Sequence, residues 1–325
     1  MKIVIADYPE SMMPTHEYEK EILKNGLACD VVVYAYVEEK RAEFLEIIQE
    51  ADALLTAFLP IDEQLLNHAP KLKVISINAT GYDNVDLKEA KKRGIGVCPV
   101  GEYCTADVAE FTLTQMMALV KQTKVYMQDI DANHQWRYDL VMPNKRLEEM
   151  TLGIFGFGKI GKAVGKRAKA LGMQVIACDP FIDRTSGQPY DIPLVTKEEI
   201  FAKADIITNH MNLNATNIGF FAKKHFQKMQ QTPYFLNMGR GACVVEEDLV
   251  EALDSGSLKG AALDVLADEI PDLVNHPLVG RTNVLVTPHA AFYTTNSIRE
   301  LQRISAENIV YYLRGEKEKV FRLVE

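Results

Sequence analysis

The sequence lacks the features that would suit a membrane, an oxidising compartment or a nucleic acid. No apolar stretch approaches the roughly 20 residues needed to span a bilayer. The N-terminal MKIVIADYPE begins as a signal peptide would, but Asp7 interrupts the apolar run and no small-residue cleavage site follows. It reads instead as a first β-strand. The five cysteines, Cys29, Cys98, Cys104, Cys178 and Cys243, form no C-x-x-C pair and are odd in number. They read as reduced cytosolic thiols, so a cytoplasmic location is expected. A metal site would need a tighter Cys/His cluster, and none is expected. There is no basic run, and the net charge is -9. Phosphate contacts need clustered Lys and Arg, so no nucleic-acid partner is expected, and no membrane partner either. No solenoid repeat or low-complexity tract interrupts the chain.

What remains is an ordinary globular balance, 47% hydrophobic and 25% charged over 325 residues, a length that suits two domains. Short apolar runs alternate with amphipathic stretches. KIVIAD, CDVVVYAY, ADALLTAF, KLKVISINAT and IGVCPV are rich in Val, Ile and Ala and close on turn residues. THEYEKEILKNG and NVDLKEAKKRG lie between them with helical spacing and a terminal Gly. That β-α-β rhythm predicts a parallel sheet with helices on both faces. The rhythm pauses at TADVAEFTLTQMMALVKQTKVYMQDID, where helical spacing persists for about seven turns. One long helix bridging two domains is expected there. After the irregular NHQWRYDLVMPNKRLEEM, a second series begins: TLGIFGFG, QVIACDP, ADIITNHMN, PYFLNMGRG, GAALDVL and NVLVTPHA. The last pattern, SIRELQRISAENIVYYLRG, is one amphipathic helix. The expected fold is α/β, with two doubly wound parallel-sheet units.

The second series opens on LGIFGFGKIGKAV, with Gly156, Gly158 and Gly161 in G-x-G-x-x-G spacing. The motif is weak alone, but here a strand precedes it and a helix opens on it. Gly156 suits the tight turn, Gly158 lets the backbone approach a pyrophosphate, and Gly161 lets the helix pack closely on the sheet. Phe157, Lys159 and Ile160 complete the loop, whose helix N-terminus offers N–H groups to phosphate. Asp179 ends the next strand, near the usual interval for the acid that binds the ribose hydroxyls. A carboxylate there would repel a 2′-phosphate, so NAD is the expected cofactor, with Arg184 a weak signal for NADP.

Ligands of open α/β sheets bind at the carboxyl ends of strands. Arg240, Asp264, Glu269 and His289 all follow strands of the second series. Singly each has a bland reading: a surface Arg, an N-capping Asp, a solvated Glu, a core His. Together they supply what a 2-hydroxy acid dehydrogenase needs. A guanidinium grips a carboxylate in a fork. An imidazole exchanges the alcohol proton near neutral pH, and a neighbouring carboxylate orients it.

With TGYDNVD, YCTADVAEFTL, GIFGFGKIGKAV, NMGRGACVVEEDLVEAL, GAALDVLADE and TPHAAFYT in this order, the sequence resembles the D-isomer-specific 2-hydroxyacid dehydrogenases along essentially its full length. The resemblance implies catalytic Arg240, Glu269 and His289. It implies Asp264 as a supporting acid, grouped here with the cofactor residues Gly156 to Gly161 and Asp179. It implies that backbone N–H groups around Thr80 and Gly81 hold the substrate carboxylate. Tyr103 and Phe292 match positions near the substrate in the D-lactate dehydrogenase branch, which TPHAAFYTTN resembles most. The implied fold has a discontinuous, flavodoxin-like substrate-binding domain, residues 1–100 plus 291–325. Residues 101–290 form a Rossmann NAD-binding domain, with the active site in the cleft. Family members are commonly homodimers, so a homodimer is expected.

One departure is Ile270, where the family often has Pro; another is a stretch from Glu269 to Thr287 closer to the phosphoglycerate and glycerate branches. Branches that bind a substrate phosphate tend to carry Arg after the third strand and before the TG turn. Here LLTAFLP and SINATG place Phe58, Leu59 and Asn78 there, with no cation. The expected substrate is therefore a small or apolar uncharged 2-oxo acid, pyruvate or larger, reduced to the D-2-hydroxy acid. A glycerate or phosphoglycerate-type dehydrogenase and an NAD-sensing regulatory protein are the alternatives, with phosphite oxidation also open. Trp136 reads either as a local anchor or as a residue reaching a neighbouring subunit. Cys104 reads as structural, His210 as a neighbour of the cofactor loop, and His276 as a surface loop residue.

Overall fold

Strands form where aliphatic and β-branched residues run together, because a parallel sheet covered on both faces buries both sides of each strand. The computed structural model describes residues 1–325 except Pro14, Glu269, Ile270 and Glu325. It divides into two units: residues 1–103 with 294–325, and residues 104–293.

In the first unit β1 (Lys2–Asp7), β2 (Asp30–Ala35), β3 (Ala53–Thr56), β4 (Val74–Ile77) and β5 (Gly96–Pro99) form one parallel sheet, ordered β2-β1-β3-β4-β5. That is the flavodoxin winding, which switches direction between β1 and β3. Alternate residues serve opposite faces. Val4, Leu54, Ile75 and Ile77 pack with Phe44 and Ile48 on one side. Ile3, Ile5, Leu55, Val74 and Cys98 pack on the other with Ala306, Ile309 and Val310. Those last three belong to the helix Thr295–Leu313, capped where Thr294 Oγ1 accepts the Ser297 N–H. Each fully buried aliphatic side chain contributes roughly 1.5–3 kcal/mol. Val324 bridges Val97 antiparallel and covers the β5 edge.

In the second unit β6 (Thr151–Phe155), β7 (Gln174–Cys178), β8 (Ile206–Asn209), β9 (Tyr234–Asn237), β10 (Gly260–Leu263) and β11 (Val284–Val286) form a parallel sheet, ordered β11-β10-β9-β8-β6-β7. Outside β7, Leu194 makes a single parallel bridge to Ala177. Ala177 N–H donates to Pro193 O at 3.0 Å and Val195 N–H to Ala177 O at 2.8 Å. Counted as the third strand, it gives the 3-2-1-4-5-6 Rossmann winding with β11 as a seventh strand beside β10. Pattern reading gives no strand at IPLV, because the run is short and Pro193 cannot donate to a ladder. Phe235 of β9 packs with Phe201, Phe221 and Phe226 in one cluster, all fully buried.

The expected long helix is two helices, Thr105–Val120 and Thr123–Asn133. Gln122, at φ +53°, breaks the helical ladder between them. Its side chain donates to Met142 O, and Lys124 Nζ donates to both Arg281 O and Val284 O at 2.7 Å. Those long-range bonds redirect the chain although the apolar spacing continues. The first helix buries Val108, Leu113, Met116 and Leu119; the second buries nothing. Neither bridges the units, since both lie within the second and the crossing falls before them, between Tyr103 and Cys104.

Candidate active site

The glycine loop follows β6. Gly156 sits at φ +83°, and a Cβ there would stand 2.7 Å from the backbone of His210 and Met211. At Gly161 a Cβ would lie 2.2 Å from Gly156 O. At Gly158 it would meet nothing within 4 Å, yet this exposed residue caps the helix Lys159–Ala170. Gly156 and Gly161 thus answer to packing, whereas Gly158 keeps space open over a helix N-terminus. Such a terminus offers unpaired N–H groups and positive dipole to an anion, which fits a dinucleotide pyrophosphate. Asp179, one residue past β7, accepts the Phe157 N–H through Oδ2 at 2.9 Å and the Phe181 N–H through Oδ1 at 3.0 Å. Its carboxylate is thus held against the loop, where the ribose acid of a dinucleotide fold belongs. Phe157 is buried, Ile160 half-buried and Lys159 exposed.

Next to the loop, β8 and β9 end in two buried asparagines. Asn209 Nδ2 donates to Asn237 Oδ1 at 2.9 Å. Asn237 Oδ1 also takes the Gly239 N–H at 3.2 Å, and its Nδ2 donates to Arg240 O at 3.0 Å. Asn237 therefore folds the turn that presents Arg240, whose half-buried guanidinium donates one N–H to Gly239 O. Sequence reasoning missed both asparagines; their only signal is a polar residue closing an apolar run.

His289 lies three residues beyond β11 at φ +51°, a conformation L-residues rarely hold without support. Asp264, just past β10, provides the support. Its backbone O accepts the His289 N–H at 2.7 Å. Its carboxylate accepts from Thr287 Oγ1 at 2.6 Å, Ala290 N at 3.0 Å and Ala291 N at 2.9 Å. Burial raises the Asp264 pKa, while these donors and His289 pull it down. Sequence reading groups Asp264 with the cofactor residues; here both its carboxylate oxygens accept from the His289 turn. Phe292 stands edge-on to His289, ring centroids 6.2 Å apart. Glu269 and Ile270 lie outside the described residues.

In the first unit, Thr80 is exposed and its Oγ1 donates to Gly101 O at 2.7 Å. Among the described residues, neither the Thr80 nor the Gly81 N–H has an acceptor. Tyr103 is half-buried two residues past Gly101. Arg322, a cation that sequence reading did not place, stacks 5.1 Å over Tyr82 and donates to its hydroxyl.

His210 follows β8 with its backbone against Gly156, as expected of a cofactor-loop neighbour. Its Nε2 faces Thr208 Oγ1 at 3.0 Å, while Nδ1 is buried with no partner among the described residues. Burial pulls its pKa down to about 3. His276 is not the surface residue expected: only 11% of its side chain is exposed, beside Glu246.

Comparison with known proteins meets this geometry. The family described as "D-isomer specific 2-hydroxyacid dehydrogenase, NAD binding domain" matches residues 113–291. A glyoxylate reductase of Thermofilum pendens is 34% identical over 89% of this chain and 86% of its own length. A hydroxypyruvate reductase of Blautia hydrogenotrophica is 31% identical over 84% of this chain and 85% of its own. The crystal structure of TT0316 protein from Thermus thermophilus superimposes with a TM-score of 0.85 at 29% identity, covering 97% of each chain. A glycine loop with its acid, an arginine turn and a braced histidine on one parallel sheet thus have their counterpart in a known family: the chain belongs to the D-isomer-specific 2-hydroxyacid dehydrogenases, NAD-binding oxidoreductases of 2-hydroxy acids.

Proposed function

We propose that the chain reversibly reduces a small or apolar, uncharged 2-oxo acid, pyruvate or larger, to the D-2-hydroxy acid. The observation that carries this reading is the His289 turn, braced by Asp264 on the same sheet whose β6 leads into the glycine loop. NADH, when bound, supplies the hydride. Gly156 to Gly161 and Asp179 hold that cofactor, and the Asp179 carboxylate favours NAD over NADP. Arg240 takes the substrate carboxylate in a fork, with further donors from the Thr80 and Gly81 N–H groups. His289 gives its proton to the carbonyl oxygen during reduction and recovers it during oxidation. Glu269 is assigned the role of the carboxylate that orients the imidazole. Tyr103 and Phe292 border the substrate side chain.

An uncharged side chain is supported by Phe58, Leu59 and Asn78 beyond β3 and β4, none of them cationic. The guanidinium of Arg322 is stacked on Tyr82. Hydroxypyruvate or glyoxylate is the second reading, supported by the names of relatives that align over most of their length. The test is NADH oxidation with glyoxylate, pyruvate, hydroxypyruvate, branched 2-oxo acids and phosphohydroxypyruvate. Pyruvate or a larger apolar acid should give the highest kcat/KM. Fastest turnover of the phosphorylated acid would overturn the uncharged pocket. No turnover with any of them would favour the NAD-sensing reading.

The same reading includes a homodimer. The helix Thr123–Asn133 buries nothing, and Trp136 and Tyr138 beyond it are 94% and 90% exposed. Met127 and Met142 extend this apolar surface, which a second copy would cover. Trp136→Glu with Met142→Glu should halve the mass seen by light scattering; an unchanged mass would remove the arm from the interface. A cytoplasmic location fits five cysteines that form no C-x-x-C pair.

A further inference from the structure

We infer that Glu246 is a positioning residue that ties the Arg240 turn to the chain segment carrying Glu269. Glu246 opens the helix Glu246–Asp254, six residues after Arg240. Its Oε1 accepts the Ala267 N–H at 2.7 Å, and its Oε2 lies 3.3 Å from His276 Nε2. His276 Nδ1 accepts the Leu278 N–H at 3.4 Å, which puts the ring proton on Nε2, facing Glu246. One carboxylate therefore holds residues 267 and 276, the two ends of the stretch in which Asp268 and Glu269 occur. Both side chains are largely buried, 18% and 11% exposed, so solvent competes weakly for these bonds.

A second contact locks the same two elements. A Cβ at Gly241, next to Arg240, would stand 1.6 Å from Leu266 O. The two backbones touch with no room for a side chain between them. Arg240, Gly241 and Glu246 thus lie on one short stretch of chain that meets residues 266–267 twice. Helix capping does not account for Glu246, because Glu247 and Asp248 also stand in the first turn and serve the dipole equally. Asp248 reaches the Lys223 N–H, and Glu246 reaches residues 267 and 276. A carboxylate is required, since the two ends need an acceptor each and glutamine offers one.

The inference rests on the proposed role of Glu269: Glu246 and the Gly241–Leu266 contact hold Leu266, Ala267 and His276, which flank that residue in the chain, to the stretch that carries Arg240. The test compares E246A, E246Q, E269Q and E246A/E269Q. Hydrogen exchange over residues 267–278, kcat, substrate KM and NADH affinity are measured for each. E246A should exchange at least about tenfold faster across that segment and lose kcat on the order of tenfold, with NADH affinity unchanged. E246Q should keep protection at Ala267, lose it near Leu278, and recover part of kcat. The double variant should match E269Q alone, because two residues acting through one another are not additive. Unchanged exchange in E246A, or losses that multiply in the double variant, would overturn the clamp. Wild-type kcat in E269Q would sink the Glu269 role alone, and the exchange result would then decide whether Glu246 holds the segment.

Discussion

Each unit places a buried aspartate at the carboxyl end of a strand and uses it to pin a neighbouring loop. In the first unit Asp7, the last residue of β1, accepts Ala57 N–H at 2.6 Å, Phe58 N–H at 3.2 Å and Tyr8 N–H at 3.0 Å. In the second, Asp264 pins the turn after β11. The device is the same, but the loops differ in what they carry: Phe58 and Leu59 in one, His289 in the other. A buried acid at a strand end therefore marks a loop held in place, and the chemistry must be read from the loop.

Four experiments sharpen or break that contrast. The largest effect belongs to the residue carried. His289→Ala should lower kcat by about 10²–10⁴ while leaving NADH affinity within about twofold. Near-normal turnover would remove the difference between the two loops.

The next concerns Asp7, whose pKa burial raises to about 6 in spite of its backbone donors. A folded pKa above the unfolded value means the folded state binds that proton more tightly. The contribution is present below pH 4 and is lost as pH rises to 6. The full loss amounts to about 3 kcal/mol at 1.36 kcal/mol per unit. Urea melts of wild type and Asp7→Asn should diverge by that amount between pH 4 and 7, in favour of the variant at the upper end. Parallel curves would mean the backbone donors outweigh burial.

His210 in the second unit runs the other way. Its pKa is depressed to about 3, so its contribution is complete above pH 6.5 and falls away with acid. By pH 5 the loss is about 2 kcal/mol, and His210→Gln should flatten that acid limb in the same melts. A variant with the wild-type slope would place its titration elsewhere.

The smallest effect is that of the brace itself. Asp264→Asn removes one acceptor from three donors, so His289 should be slightly misplaced and kcat should fall about tenfold, roughly 1.4 kcal/mol. Asp7→Asn assayed alongside should leave kcat alone, and equal losses in both would erase the distinction between the loops.

Much of this was legible in the sequence. Strands such as KIVIAD and DVVVYA announce themselves because both faces are covered. The glycine loop does so because strand, spacing and following acid agree. His289 and Arg240 stand out by their position after strands. The parts that were not legible depend on partners far away in the chain. Leu194 pairs through one bridge and has no periodicity to detect. Gln122 breaks a helix whose apolar spacing continues, because Met142 and Arg281 draw the chain aside. Asn209, Asn237, Glu246 and His276 look like ordinary polar residues until the fold brings each to its partner.

The discontinuous first unit has a consequence for how the chain is made. Residues 104–293 hold every strand of their own sheet and can close a core as soon as they have been synthesised. Residues 1–103 cannot, because one face of β1, β3 and β4 is covered by Ala306, Ile309 and Val310. Ribosomal order and folding order are therefore reversed: the unit that begins first finishes last. Until then Ile3, Ile5, Leu55 and Val74 have only the partial cover of Leu23 and Leu27, leaving apolar sheet surface on the nascent chain of the kind chaperones bind.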